Sequence, residues 1–131
     1  MRTLLPQRIF KKYHKQNRPD SDRFGKCIYF EDEYVGDVWC YAIDKFRREA
    51  FVSILIFNKK LWGKGIGQKA LELFLYTVRT KFGIHTMKLY SYESNKRAVN
   101  CFRKSGFTIG KRFDENGVWS YLMVRREFTT R

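Results

Sequence analysis

Short aromatic and β-branched runs separated by polar turns dominate the first half of the chain. Lys26–Phe30 and Tyr34–Ile43 are two such runs, and the acidic Glu31-Asp32-Glu33 between them predicts a hairpin. Residues 50–57 are apolar apart from Ser53, which predicts a strand buried on both faces and therefore central in its sheet. Beyond it the period changes from two to 3.6. Ala70, Leu71, Phe74, Leu75, Val78 and Phe82 recur at helical spacing, predicting a helix from Gln68 to Phe82 that Gly83 ends. Thr86–Tyr92 is a further strand, and Ser94 or Asn95 caps a helix from Lys96 to Ser105 that Gly106 terminates. Phe107–Phe113 and Val118–Arg126 then form two strands around the turn Asp114-Glu115-Asn116-Gly117.

Ahead of these elements, Ile9, Phe10 and Tyr13 make a narrow apolar stripe after Pro6. The first 19 residues hold no acid but carry Arg2, Arg8, Lys11, Lys12, Lys15 and Arg18. Poverty in Ser and the narrow stripe favour a short helix packed on the domain over an organellar presequence or a membrane-surface helix. Asn17–Gly25 reads as a polar loop, and no repeat, low-complexity tract or linker divides the chain. The expectation is one mixed α/β domain over residues 1–131, with 1–25 a short basic N-terminal segment and the order α-β-β-β-α-β-α-β-β. The Gln68–Phe82 helix connects two parallel strands, and ligands in such sheets sit beyond the strands' C-terminal ends.

Composition narrows the chemistry. With 27 Lys and Arg against 13 Asp and Glu the formal charge is +14, which points to an anionic ligand, an acidic substrate, nucleic acid, or simply a well-solvated basic surface. Cys27, Cys40 and Cys101 are widely spaced, and His14 and His85 show no ligand spacing to them, so neither a metal site nor a disulfide framework is expected. A reducing, cytoplasmic setting is the default. No apolar run approaches the about 20 residues needed to cross a bilayer, so no membrane partner is expected.

The most informative stretch is Trp62-Gly63-Lys64-Gly65-Ile66-Gly67-Gln68, between the apolar strand and the patterned helix. Gly63, Gly65 and Gly67 let a ligand approach the backbone, and the following helix offers unpaired N–H groups and the positive end of its dipole to an anion. No Gly-Lys-Ser/Thr follows, which excludes a P-loop nucleotidase. Gly65-Ile66-Gly67-Gln68-Lys69-Ala70 fits the dinucleotide fingerprint, but Asn58–Lys64 intervenes after the strand and a hairpin precedes it, which argues against that reading. A glycine turn serving only helix packing is the plain structural alternative.

This loop resembles the phosphate loop of the GNAT superfamily of acetyl-CoA-dependent N-acetyltransferases, usually written Q/R-x-x-G-x-G/A, except at its first position. Its Trp-Gly-Lys-Gly opening is similar to the branch that includes the ribosomal-protein N-terminal acetyltransferases. A second stretch, residues 95–107 from Asn95 to Phe107, resembles the family's N-x-x-A-x-x-x-Y-x-K-x-G-F about 30 residues downstream. The resemblance runs from about Lys26 to Phe128. It implies acetyl-CoA as cosubstrate, with backbone groups of Leu55, Ile56 and Phe57 pairing with the pantetheine arm. Gly63, Lys64, Gly65, Ile66, Gly67 and Gln68 would surround the pyrophosphate, and Asn95 would hydrogen-bond the end of the arm, although Asn95 also reads as a helix cap.

The resemblance also implies direct attack of a neutral primary amine on the thioester in a ternary complex. The family's acid is usually the tyrosine of the second motif, which here is Phe102, a residue with no proton to give. Another donor, an unassisted thiolate, or binding without turnover are the open readings. Tyr90, Tyr92 and Tyr121 are candidate donors, Glu93 and Asp37 candidate bases, and Tyr90 stands where some relatives have a catalytic glutamate. Each also reads as an ordinary sheet aromatic or a solvated carboxylate.

The family's first strand and two helices have little room, since only 25 residues precede Lys26. The acceptor side is then open, completed by a second subunit as in a homodimer, or cut short. The leading expectation is a cytoplasmic N-acetyltransferase acting on a protein N-terminus, a lysine or a small amine such as an aminosugar. The positive charge disfavours polyamines and favours an acceptor that is anionic or attached to an acidic protein or ribonucleoprotein. The alternatives are a non-catalytic acetyl-CoA-binding module and a basic nucleic-acid-binding domain, the latter without any named motif.

Overall fold

A computed structural model describes residues 23–127. Its elements are β1 (Phe24–Phe30), β2 (Glu33–Asp44), β3 (Glu49–Ile56), a 3₁₀ turn (Lys59–Leu61), α1 (Ile66–Phe82), β4 (Thr86–Tyr92), α2 (Lys96–Lys104), β5 (Thr108–Glu115) and β6 (Val118–Arg126). The expected N-terminal helix lies outside the described residues.

The six strands form one mixed sheet in the order β1-β2-β3-β4-β6-β5, so β3 and β4 are central. Tight two-residue turns make two of the three hairpins, β1-β2 and β5-β6. Glu31 and Asp32 have φ of 51° and 69°, and Asn116 and Gly117 have φ of 55° and 84°, the paired positive angles that match the twist of antiparallel strands. Only the contact of β3 with β4 is parallel, and α1 supplies the crossover between them.

The helical period explains α1. Ile66, Ala70, Leu71, Phe74, Leu75 and Val78 are buried, whereas Arg79 and Lys81 sit in the last turn, where cations suit the dipole. Gly83 stops the helix in the left-handed conformation, its N–H donating to the Arg79 carbonyl at 2.8 Å. Phe24 stacks on Phe74 with centroids 5.8 Å apart and meets Phe82 edge-on at 5.3 Å. Ile28, Val38, Val52, Met87, Leu89 and Met123 complete the core from five strands, and Val99 of α2 joins it. Burying a ring such as Phe74 stabilises the fold by about 1.5–3 kcal/mol.

Several boundaries move for physical reasons. β1 begins at Phe24 rather than Lys26, because Phe24 is itself a core residue. α1 begins at Ile66 rather than Gln68, since the side chain of Ile66 is buried and anchors the first turn. The expectation that β3 is buried on both faces is corrected. Ala50 and Val52 are buried beneath the helices, but Leu55 is 51% exposed and Phe51 and Ser53 are half-buried. Among the described residues only one face of β3 is covered, so its continuous apolar run reflects two different surfaces.

Candidate active site

β3 and β4 pair only at Glu49↔Thr86, Ala50↔Met87 and Phe51↔Lys88, although both strands continue for several residues. Beyond Phe51 and Lys88 they splay apart. A cavity of about 620 Å³ opens there, lined by Val52–Ile54 of β3, Leu89–Tyr92 of β4, Asn95, Ala98 and Phe102 around α2, and groups on β5 and β6. The splay leaves backbone unpaired. Phe57 N–H donates to Val35 O at 2.8 Å, toward β2, and the alternation of an antiparallel ladder then turns Val52, Ile54 and Ile56 the other way, into the gap.

The glycine loop lies at the open end of this gap. Gly63 and Gly65 have φ of 77° and 82°, a conformation that disfavours any side chain, and a Cβ at either position would meet nothing within 4 Å. Their small size therefore leaves open space above the backbone. Gly65 is also the N-cap of α1, without a side-chain cap bond and with no acid in the first turn. The N–H groups of that turn are thus available to an anion, reinforced by the dipole and by exposed Lys64. Ile66 contributes only its backbone, since its side chain is 3% exposed in the core.

These features fit a phosphate-bearing ligand with an amide-containing arm, and they refine the expected contacts. Of Leu55, Ile56 and Phe57, the Phe57 N–H is already bonded to Val35 and the Ile56 carbonyl accepts from the Trp62 indole N–H at 3.1 Å. Leu55 faces β2 opposite Asp37. The backbone groups left for an added strand are those of Ile54 and the N–H of Ile56. Asn95 does cap α2, its Oδ1 accepting from Ala98 N–H at 3.3 Å, yet it also lines the cavity and keeps its amide donors for a ligand.

Phe102 lines the cavity, edge-on to Phe107 at 6.2 Å. Tyr90 lines it from the sheet face away from the helices, 55% exposed, stacked on Phe51 at 5.2 Å and edge-on to Phe113 at 5.9 Å. Glu93 is placed differently. Arg112 grips its carboxylate bidentately, Nε to Oε2 at 2.6 Å and an Nη to Oε1 at 3.1 Å, and the Tyr121 hydroxyl donates to Oε2 at 2.9 Å. The Arg112 hydrogen bonds, then that from Tyr121, hold the Glu93 carboxyl below its ordinary range and weaken it as a base. Tyr121 is committed to the same cluster, and Asp37 accepts from Tyr34 Oη at 2.7 Å.

Sequence reasoning missed part of the cavity wall. Lys111, Phe113, Glu115, Ser120 and Leu122 reach it only because β6 and β5 pair onto β4, and Ser53 lines it from β3. The alternation of β5 was the available signal, since Lys111, Phe113 and Glu115 share one parity. Lys88 is neutralised by Glu49 at 3.2 Å, whereas Lys111 has no carboxylate partner among the described residues. No group of His, Cys, Asp and Glu among them could hold a metal ion.

A family model described as the acetyltransferase (GNAT) family matches residues 3–107. The chain belongs to that family. As a GNAT acetyltransferase it uses acetyl-CoA, and the loop, splay and helix cap above are the features that suit this cosubstrate. No curated protein sequence matches the chain. Among solved structures, a spermidine N-acetyltransferase SpeG mutant from Vibrio cholerae is similar at TM-score 0.74 and 21% identity, over 82% of this chain and 68% of that one. AAC(6')-Ib in complex with ribostamycin and coenzyme A is similar at TM-score 0.69 and 17% identity, over 81% of this chain and 65% of that one. At these identities the likeness establishes the GNAT fold.

Proposed function

We propose that this acetyltransferase acylates a primary amine by direct attack in a ternary complex at the β3–β4 splay. The observation that carries the reading is the opening of the splay into a cavity beside an uncapped, glycine-lined helix N-terminus. Acetyl-CoA supplies an activated acetyl thioester when bound. The N–H groups around Gly63, Lys64, Gly65, Ile66, Gly67 and Gln68 hold its phosphates, Ile54 and Ile56 pair with its arm, and Asn95 donates to the arm's end. The acceptor enters from the uncovered sheet face, where Tyr90 and Phe113 form an aromatic wall.

Phe102 cannot protonate the departing thiolate, and in our proposal the Tyr90 hydroxyl does so. A thiol titrating near 8.5 leaves tolerably without help, so the contribution of Tyr90 is at the low end of acid catalysis, about tenfold to a hundredfold. Glu93 acts by positioning rather than as the base.

The acceptor class follows from charge. Lys111 lines the cavity together with Glu115, so the support comes from the chain as a whole, whose charge of +14 favours an amine bearing a phosphate or carboxylate, free or on an acidic protein or ribonucleoprotein. The names of the similar structures, a spermidine and an aminoglycoside acetyltransferase, support small amines beside protein N-termini. The Trp-Gly-Lys-Gly opening supports the branch of the ribosomal-protein N-terminal acetyltransferases. We include in the proposal a single domain over residues 1–131, a cytoplasmic setting, and a homo-oligomer whose second subunit completes the acceptor side; the SpeG enzyme has a dodecameric structure. No helix among the described residues is long and apolar enough to cross a membrane.

The test is an amine screen with thiol detection, run on the wild type and Tyr90→Phe. Aminosugar phosphates or acidic peptides are expected to outpace spermidine, and Tyr90→Phe to lower kcat about tenfold or more with KM for acetyl-CoA unchanged. Spermidine as the best acceptor would overturn the anionic class, and an unchanged kcat in Tyr90→Phe would remove Tyr90 as the donor.

A further inference from the structure

Trp62 stands at the open end of the splay with attachments on both walls. Its indole N–H donates to the Ile56 carbonyl at 3.1 Å, and the guanidinium of Arg97, in the first turn of α2, lies 4.9 Å from its ring centroid. Lys59 approaches the same ring at 5.8 Å. The peptide joining Ile56 to Phe57 is trans, and the Phe57 N–H points to β2, so the Ile56 carbonyl points into the gap. The indole therefore holds a carbonyl that a ligand running along β3 would otherwise use.

We propose that Trp62 is a latch across the mouth of the cofactor cleft, occupying the place of an arm amide until CoA displaces it. The inference rests on the cofactor placement proposed above. Exchange of the indole N–H for an amide N–H replaces one hydrogen bond by another, so release costs little once the arm is present. Arg97 gains by the same movement, because an exposed contact with an aromatic face is weaker than a charge-assisted hydrogen bond to phosphate. The hinge is at hand, since Gly63 follows Trp62 directly, at φ 77° and with nothing near its Cβ position. Trp62 itself is 39% exposed, with room to turn outward. A latched mouth lowers apparent affinity, because only the unlatched fraction accepts the full arm.

Trp62→Phe keeps a ring for Arg97 and removes only the donor. The experiment is calorimetric titration of wild type and Trp62→Phe with CoA and with 3′,5′-ADP, which carries phosphates but no arm. The latch predicts that Trp62→Phe binds CoA about fivefold tighter than wild type, the equivalent of one net hydrogen bond, with 3′,5′-ADP affinity unchanged. Weaker or unchanged CoA binding, or an equal gain for both ligands, would overturn it and make Trp62 a fixed brace. In the wild type the latch further predicts that tryptophan emission shifts on adding CoA, and absence of a shift with CoA counts equally against it. Wild-type protein that binds neither ligand would instead remove the cofactor placement itself.

Discussion

Glu93 shows what a single residue becomes once its neighbours are known. Read along the chain it is a carboxylate two positions before Asn95 and a candidate base. In the fold it is the centre of a cluster with Arg112 and Tyr121, and Arg112 in turn lies 3.9 Å over the ring of Trp119. Its backbone N–H donates to Trp119 O at 2.9 Å, so the cluster fixes the end of β4 and with it the Asn95 turn. Because the folded carboxyl titrates below its ordinary value near 4.5, its contribution to stability is present above that value and is lost as pH falls through the folded pKa. Melting temperatures of wild type and Glu93→Gln should therefore differ near pH 6 and converge toward pH 3. A difference that persists undiminished at pH 3 would show that charge pairing is not what the side chain contributes. None of this was legible in the sequence, since Arg112 and Tyr121 come from strands whose register no local pattern specifies.

At the scale of elements, the sheet owes its gap to an interrupted pairing. β3 and β4 part after three residue pairs, and the separation depends on β3 being held firmly by β2 on its other side. Gly36 is where that grip is tightest, because a Cβ there would lie 2.2 Å from the Leu55 backbone oxygen. Backbone cannot yield as a side chain can. Gly36→Ala should destabilise the protein by roughly 1–3 kcal/mol, lowering Tm on the order of 5–15 °C, and should weaken CoA binding as the β3 edge shifts. An unchanged Tm would mean that β2 and β3 separate without cost. The elements themselves were largely readable. The 3.6-residue period gave α1 from its apolar stripe, Asn95 and Gly106 bracketed α2, and the strand Thr86–Tyr92 fell where its pattern predicts. The 3₁₀ turn at Lys59–Leu61 was not, because Asn58, which caps it, sits in a polar stretch that reads as loop. The one-sided burial of β3 was misread for a related reason, since an apolar run records hydrophobicity and not which partner covers it.

For the whole molecule, the fold converts a basic, Gly-marked sequence into one cleft reached from two sides. In the proposed arrangement cofactor phosphates meet the helix end and the acceptor meets the aromatic sheet face, with the splay between them. The glycine loop was legible because glycine spacing carries its own physics, whereas the acceptor side depends on β5 and β6 arriving from the far end of the chain. The central claim is that the loop binds the phosphates of acetyl-CoA, and calorimetric titration of wild type and Gly65→Asp with CoA tests it most directly. A Cβ at Gly65 touches nothing in the protein, so Asp there adds a carboxylate to the anion site with only the modest strain of its positive φ. The account predicts micromolar binding by the wild type and its loss in a variant whose circular dichroism is unchanged. Equal binding by both proteins, or none by well-folded wild type, would contradict it.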